Sequence, residues 1–153
     1  MLAAGRFGHV DLIADMRRHL VGEGQIAGPP AVAMRHIANQ ANPYGQPDSE
    51  RMAWADGLDV PTVEQNPEVE YLFWVGCAAA FDPRAQKVAR ATAQLLIEAK
   101  VDFAVLGGQE RDCGDLARRL GDEATFQRLA RANVETLSRY RFTRILTADP
   151  HAL

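Results

Sequence analysis

Apolar side chains follow a helical period along much of the chain, and three shorter segments depart from it. The segment 71–75 (YLFWV) has no polar interruption, which is typical of a strand buried on both faces inside a parallel sheet. Two more strands are predicted over 102–108 and 142–147, each after a stretch of helical spacing. Strands that alternate with helices through short connections predict right-handed crossovers. The sequence therefore predicts an α/β fold with a small three-stranded parallel sheet, half of a doubly wound fold.

The two crossover helices are predicted from their first turns and from their apolar spacing. Asp82 is placed to cap a helix over 83–99, and Pro83 suits the first turn of that helix. The apolar face predicted for it consists of Ala85, Val88, Ala89, Thr92, Leu95, Leu96 and Ala99. A second helix is predicted over 122–140, and its apolar stripe consists of Phe126, Leu129, Ala130, Val134 and Leu137. Both faces are expected to pack on the sheet.

The first 66 residues have a more irregular pattern. Short helices are predicted there over 9–21, 31–40 and 49–55, and no ladder of strands is expected. Short helices are marginal in water without tertiary packing, so we expect this segment to wrap around a domain or a partner. The predicted division is a helical N-terminal arm over 1–66 and an α/β domain over 67–153.

Composition and charge narrow the classes of function. A chain of 153 residues is long enough for one domain with a real core. The net charge of −3 argues against a nucleic-acid partner, which would usually require a basic face. No apolar stretch approaches the length of a membrane span, and the N-terminal segment lacks the apolar core of a secretory signal. We therefore expect a cytoplasmic protein, with peripheral attachment to a membrane-bound complex left open.

Chemically reactive side chains follow each of the three predicted strands. Cys77 follows the first strand, and Asp149 follows the third; Asp112, Cys113 and Gly114 follow the second. Parallel strands end at the same edge of a sheet, so we expect these residues to be neighbours. Thiolates beside carboxylates suit iron or zinc. This predicts a metal site formed by Cys77, Asp112, Cys113 and Asp149, where Gly114 allows close backbone approach. The alternative, that each cysteine is only a small buried apolar side chain, stays open.

Other charged residues near these loops have more than one interpretation. His151 adds an imidazole beside Asp149 at the same edge. Without a metal, Asp112 and Asp149 would be open to water or paired with Arg111 or another cation, because buried like charges repel. The arginines 118–119 are either an anion clamp or a solvated helix face.

Three motifs, in order along the chain, resemble one known family. The stretches are WVGCAAAFDPRAQKVARATAQLL, VDFAVLGGQERDCGDLARRLGDE and ILTADPHAL. They are similar to the cysteine-rich CCG domain of heterodisulfide reductase catalytic subunits, the iron–sulfur subunit of glycolate oxidase and related iron–sulfur-binding reductases. In this resemblance Cys77 matches the first family cysteine, while Cys113 and Gly114 match the second cysteine and the glycine of the Cys-Cys-Gly motif. Family cysteine positions are occupied here by Asp112, Asp149 and Ala152.

The resemblance implies an iron–sulfur cluster as cofactor and thiol–disulfide or electron-transfer chemistry. Three functions stay open because several cysteines are replaced. The first is a degenerate cysteine-rich domain, an accessory piece or subunit of an iron–sulfur redox complex, which docks on an iron–sulfur or flavin protein through its helical arm. The second is an active electron-transfer protein whose cluster is ligated by cysteine and aspartate. The third is a metal-free domain in which Cys77 and Cys113 form a reversible disulfide.

Overall fold

The computed structural model describes residues 8–152, which form a parallel sheet flanked by helices. The helices are α1 (His9–Gly22), α2 (Pro29–Gln40), α3 (Cys77–Phe81), α4 (Pro83–Glu98), α5 (Asp115–Leu120) and α6 (Glu123–Leu137). The strands are β1 (Glu68–Trp74), β2 (Phe103–Val105) and β3 (Arg141–Thr147). Short 3₁₀ helices occupy Asp48–Glu50, Ala53–Ala55, Gly107–Gln109 and Pro150–Ala152. The predicted α/β fold class is confirmed.

The central strand of the sheet is β1, which pairs in parallel with β2 on one side and β3 on the other. Its residue Tyr71 lies opposite Phe103 of β2 and Arg144 of β3. Leu72 and Phe73 are buried on opposite faces, because side chains of a strand alternate between the faces. The strand order β2-β1-β3 therefore encloses the most apolar segment of the chain, as the uninterrupted run predicted.

β3 lies at an edge of the sheet, and its burial differs from that of the other strands. All seven of its residues are exposed or half-buried, and Ile145 is 49% exposed. The alternating polar residues of this segment fit that position, since an edge strand with one open side needs no continuous apolar run. The third predicted strand is confirmed as a strand, although less of it is buried than of β1 and β2.

The face that α4 turns to the sheet is formed by alanines. Asp82 caps this helix as predicted, because its carboxylate accepts two backbone N–H groups of the first turn. Ala89 and Ala93 are buried, whereas Val88 is 53% and Leu95 is 67% exposed. The predicted apolar face is therefore wrong in part. Small side chains let the helix approach the sheet closely, and this orientation turns the two larger residues outward.

The buried face of α6 includes a polar residue that the predicted stripe omitted. Leu129 is buried as expected, but Val134 is 62% exposed. Asn133 is buried instead, and its side-chain amide donates a hydrogen bond of 3.0 Å to the carbonyl oxygen of Asp112. A satisfied amide can replace an apolar side chain in a helix–loop contact. This bond fixes the loop after β2 to α6.

The N-terminal segment contributes part of the core. Trp54 is buried and packs edge-on against Phe73 of β1, with 6.1 Å between ring centroids. Val63 N donates to the carbonyl oxygen of Val105, and Val105 N donates to that of Pro61, both at 2.9 Å. A single parallel bridge thus joins this segment to β2, where no pairing was expected. The segment wraps around the sheet; the division at residue 66 stays a sequence prediction.

α1 contacts the rest of the molecule without burying a side chain. It has no buried residue, and Leu12 and Met16 are 55% and 60% exposed. Its backbone rests on Gly121, where an added Cβ would lie 2.5 Å from the carbonyl carbon of Arg17. Neither α1 nor any other helix within residues 8–152 combines the length and the apolarity needed to span a membrane.

Candidate functional site

A glycine turn between β1 and α3 positions Cys77. Gly76 has a φ of +82°, a conformation that strains residues with a Cβ. A Cβ at this position would also collide with the Asp149 carboxylate. The turn lets α3 begin at Cys77, whose side chain is nearly buried. The exit of β1 is therefore in direct contact with the loop that follows β3.

The loop after β2 holds Asp112 through its backbone and its carboxylate. Asp112 N donates to the carbonyl oxygen of Ala41 at 2.8 Å. The carboxylate accepts a 2.7 Å hydrogen bond from Gly114 N. Gly114 has a φ of +86°, and an added Cβ would lie 2.9 Å from the Phe126 ring. The close backbone approach predicted for Gly114 is therefore observed, against α6.

The loop after β3 closes the site from the other side. Asp149 Oδ1 accepts a hydrogen bond from His151 N at 2.9 Å. The Cys113 thiol donates to the carbonyl oxygen of His151 at 3.3 Å. His151 Nδ1 lies 2.9 Å from Asp115 Oδ2, so the imidazole fastens this loop to the first turn of α5. His151 therefore links the loops after β2 and β3 at this edge of the sheet.

The three loops meet around a cavity of about 240 Å³, which we call the edge cavity. Cys77, Asp112, Cys113 and Asp149 all line it, as does Tyr44 of the N-terminal segment. The structure thus brings together the four side chains that the sequence placed at one edge. The predicted role of these side chains as metal ligands stays a prediction, and so does the binding role of Gly114, which shapes the adjacent loop.

Burial favours the protonated form of both thiols. It raises the pKa of Cys77 well above the ordinary value, although the Arg51 guanidinium opposes this effect. Burial also raises the pKa of Cys113 to about 11. For Asp112, burial raises the pKa and the hydrogen bond from Gly114 opposes the rise. Since the thiolate is the form that attacks or binds a metal, the raised pKa lowers the reactive fraction of both cysteines near neutral pH.

A buried ion pair behind the edge cavity was not predicted from the sequence. Arg51 Nη1 lies 3.3 Å from Glu110 Oε1, and both side chains are buried. The Glu110 carboxylate also accepts the backbone N–H groups of Val75 and Gly76, at 3.0 and 2.8 Å. Arg51 Nη2 donates to Cys77 Sγ at 3.6 Å. The pair therefore holds the backbone at the exit of β1 and contacts the Cys77 thiol.

Only one member of this ion pair had a signal in the sequence. Glu110 follows the glycine exit of β2, where ligand-facing residues collect. Arg51 belongs to a segment that resembles a short surface helix. The pairing considered for Arg111 is wrong, because Arg111 pairs with Asp48. Arg51 is the cation near Asp112, and its charge acts against the rise in the pKa of that carboxyl.

The side chains at this edge do not fit a cluster held by four thiolates. Iron–sulfur clusters are usually held by four cysteine thiolates, and the chain has two cysteines. Ala152 offers no donor atom at a position where the family pattern has a cysteine. Within residues 8–152, no group of three or more His, Cys, Asp or Glu side chains is arranged to hold a metal ion. The family's thiolate ligation is therefore not available from this chain's own side chains.

The fold and the three loops at its edge define a class of protein. The profile of the CCG family, described as a cysteine-rich domain, matches residues 71–151. This range extends from β1 to the loop after β3, and it includes both cysteines and all three aspartates that line the edge cavity. The chain belongs to the CCG family of cysteine-rich domains, as the resemblance of its motifs implied.

Three proteins with related sequences are similar to nearly the whole of this chain. The chain is 51% identical over 145 residues to a probable membrane-anchored ferredoxin of Chromohalobacter salexigens. It is 43% identical over 152 residues to the probable iron–sulfur-binding oxidoreductase FadF of Bacillus subtilis. It is 30% identical over 148 residues to one subunit of the dihydromethanophenazine:CoB–CoM heterodisulfide reductase of Methanosarcina barkeri.

These relatives are much longer than this chain. The matches cover 94%, 94% and 91% of the chain, but only 22%, 22% and 34% of the respective relatives. The chain therefore corresponds to one section of each relative. No solved structure matches the chain.

Proposed function

We propose that this chain is a degenerate cysteine-rich domain that serves as a subunit or accessory piece of an iron–sulfur electron-transfer complex. The names of the relatives support a place in an electron-transfer complex, since they describe a ferredoxin, an iron–sulfur-binding oxidoreductase and a component of a heterodisulfide reductase. The observation that carries the proposal is the loss of thiols at the edge, where Asp112, Asp149 and Ala152 occupy cysteine positions. The domain contributes its fold and surface, while partner subunits carry the clusters or a flavin.

The bonding within the edge cavity supports a role without a resident cluster. The Asp112 carboxylate accepts a hydrogen bond from Gly114 N, and the Asp149 carboxylate accepts one from His151 N. The Cys113 thiol donates a hydrogen bond to the His151 carbonyl oxygen, and Cys77 Sγ accepts one from the Arg51 guanidinium. Each of these groups thus has a partner within the protein. Ligation by Cys113 would require its thiolate and would break its hydrogen bond to His151. Hard carboxylates would also replace the soft thiolates that iron–sulfur clusters prefer.

A second candidate function has one specific observation in its favour. The thiols of Cys77 and Cys113 line the same cavity as the carboxylates of Asp112 and Asp149, which is a mixed donor set that iron accepts. The chain would then be an active electron-transfer protein with a cluster ligated by cysteine and aspartate. The third function, a dithiol redox domain without metal, is disfavoured by the raised pKa of both thiols, because the thiolate is the attacking species.

Anaerobic reconstitution tests the proposal. The chain is purified without oxygen and incubated with iron and sulfide, and bound iron and acid-labile sulfide are then measured. We expect far less than one cluster per chain. The triple variant Asp112→Cys, Asp149→Cys, Ala152→Cys restores the family's thiols, and we expect this variant to bind iron and sulfide and to show a cluster absorption band.

A control variant keeps the number of added cysteines constant. It carries Asp56→Cys, Asp59→Cys and Ala91→Cys at exposed positions away from the edge cavity, and we expect no cluster to form there. A full complement of iron and sulfide in the unaltered chain would instead establish the second candidate function. A reversible loss of two hydrogen atoms, that is, two protons and two electrons passed to an added oxidant, would appear in mass spectrometry as a mass difference between reduced and oxidised samples and would establish the third.

The proposal also covers partners and location. We infer that the domain works beside an iron–sulfur or flavin subunit on the cytoplasmic side, with peripheral attachment to a membrane-bound complex. The name of the Chromohalobacter relative, which describes that protein as membrane-anchored, supports this last part. Co-purification with a membrane fraction that salt washing releases, when the complex is expressed as a whole, is the expected result.

A further inference from the structure

A groove between α1 and α5 combines apolar side chains with arginines, and we call it the α1–α5 groove. It encloses about 510 Å³. Val10, Ile13 and Ala14 form its apolar wall. Its charged lining consists of Arg17, Arg18, Arg118 and Arg119, together with Asp11 and Asp115. Arg119 and Asp115 also line the edge cavity, so the groove and the edge cavity are adjacent.

Apolar side chains of α1 are exposed to solvent. Val10 is 79% and Ile13 is 48% exposed, although both lie on a helix that the rest of the molecule holds in place. Two contacts hold this helix. Gly121 meets the backbone of Arg17, and the Arg17 guanidinium donates a hydrogen bond of 2.8 Å to the carbonyl oxygen of Arg119. A fixed helix with exposed apolar side chains on one face is typical of an interaction surface.

The charges in the groove define the chemistry of what would bind there. Arg119 is paired with Asp115 at 2.7 Å, and Arg18 with Asp15 at 2.7 Å. Within residues 8–152, no carboxylate oxygen lies within 4.0 Å of the Arg17 or Arg118 guanidinium nitrogens. The Arg118 guanidinium carbon lies 5.0 Å from the Phe126 ring centroid, which fixes its position without neutralising its charge.

We propose that the α1–α5 groove docks an acidic amphipathic segment of a partner protein, with apolar side chains against Val10 and Ile13 and carboxylates at Arg17 and Arg118. Charge selects this occupant: arginines outnumber aspartates in the lining of a chain whose net charge is −3. This inference rests on the proposed function, since it names the kind of partner segment that an accessory domain would hold. Docking there would bring the partner next to the edge cavity.

A model peptide tests the inference. The probe is a short fluorescein-labelled helical peptide with a stripe of leucines bordered by glutamates, and binding to the full chain is followed by fluorescence anisotropy. We expect saturable binding that weakens as salt is added, because exposed charges are screened. Ile13→Ser and Arg118→Gln are each expected to weaken binding by about threefold to tenfold, the effect of losing roughly 1 kcal/mol of contact.

Matched controls separate the groove from the rest of the surface. Val88→Ser removes a valine of similar exposure on α4, and Arg131→Gln removes an exposed arginine of α6. We expect neither change to alter binding. A peptide with lysines in place of the glutamates is expected not to bind. If this lysine peptide binds equally, or if all four variants behave alike, the inference is wrong.

An alternative partner for the same groove is an anionic lipid surface, which requires the same residue chemistry. Vesicles of phosphatidylglycerol and phosphatidylcholine form the second arm of the experiment. Binding to these vesicles that depends on Ile13 and Arg118, without binding of the glutamate peptide, would overturn the inference in favour of a membrane surface. The outcome is independent of the iron measurement, so failure of docking and failure of the proposed function can be told apart.

Discussion

A buried arginine and a buried glutamate form an ion pair behind the edge cavity. Arg51 and Glu110 lie far apart in sequence and form an ion pair in a place where water is excluded. The Glu110 carboxylate is also held by two backbone N–H groups at the exit of β1. Burial raises the pKa of Glu110, and the charge of Arg51 opposes that rise. Each charge is tolerable only because the other is present.

Removing one partner of this pair is expected to cost more than removing both. Glu110→Gln leaves the Arg51 charge buried without a counterion, and we expect a loss of about 3 kcal/mol in the free energy of unfolding. Adding Arg51→Met to that variant is expected to restore part of the loss, because no unpaired charge then remains. Urea denaturation of the two single variants and the double variant measures this coupling. Strictly additive losses would contradict the interpretation.

At the scale of an element, α4 shows how small residues decide which face of a helix is buried. Its two fully buried side chains are alanines, Ala89 and Ala93. Leu95 is more apolar and yet 67% exposed. The hydrophobic pattern alone favours a face with the larger residues, whereas close approach to the sheet requires the smaller ones. Packing density in the interior leaves no room for a larger side chain at these positions.

Two substitutions on α4 test this orientation. Ala93→Leu adds volume to a packed interface, and we expect it to lower the free energy of unfolding by about 1–3 kcal/mol. Leu95→Ser changes an exposed residue of the same helix, and we expect an effect within about 0.5 kcal/mol. Thermal and urea unfolding of both variants provide the comparison. The interpretation fails if Leu95→Ser proves the more destabilising of the two.

For the whole molecule, the N-terminal segment and the sheet form one core. Trp54 packs on Phe73, and Ile37 is buried in a cluster with Ala117 and Leu129. The parallel bridge between Thr62 and Val105 extends the contact to the backbone of β2. The family profile starts at residue 71, yet Trp54 covers the sheet and Ile37 covers α5 and α6 from outside that range. The α/β part therefore depends on residues that precede it.

Two truncated chains test this dependence. A fragment of residues 67–153 loses Trp54 and Ile37, and we expect it to lack near-ultraviolet circular dichroism and a cooperative melt. A fragment of residues 23–153 loses only the first 22 residues, which include the whole of α1, a helix without a buried residue, and we expect it to retain the melt of the full chain. A cooperative melt of the shorter fragment would show that the sheet folds without the N-terminal segment.

Local patterns in the sequence were enough to predict the order of strands and crossover helices, the cap at Asp82 and the grouping of both cysteines with Asp112 and Asp149 at one edge. These features follow from local rules: an uninterrupted apolar run, a capping residue, and the fact that parallel strands end on the same side. The family resemblance added which side chains stand at cysteine positions.

The remaining features follow from long-range packing. It turned Val88 and Leu95 outward, paired Arg111 with Asp48, and buried Arg51 against Glu110 behind the thiol of Cys77. These outcomes depend on which elements approach each other and how closely, and contacts between residues distant in sequence have no local signature. Burial, which sets the protonation of Cys77 and Cys113, arises from the assembled core and from no single segment.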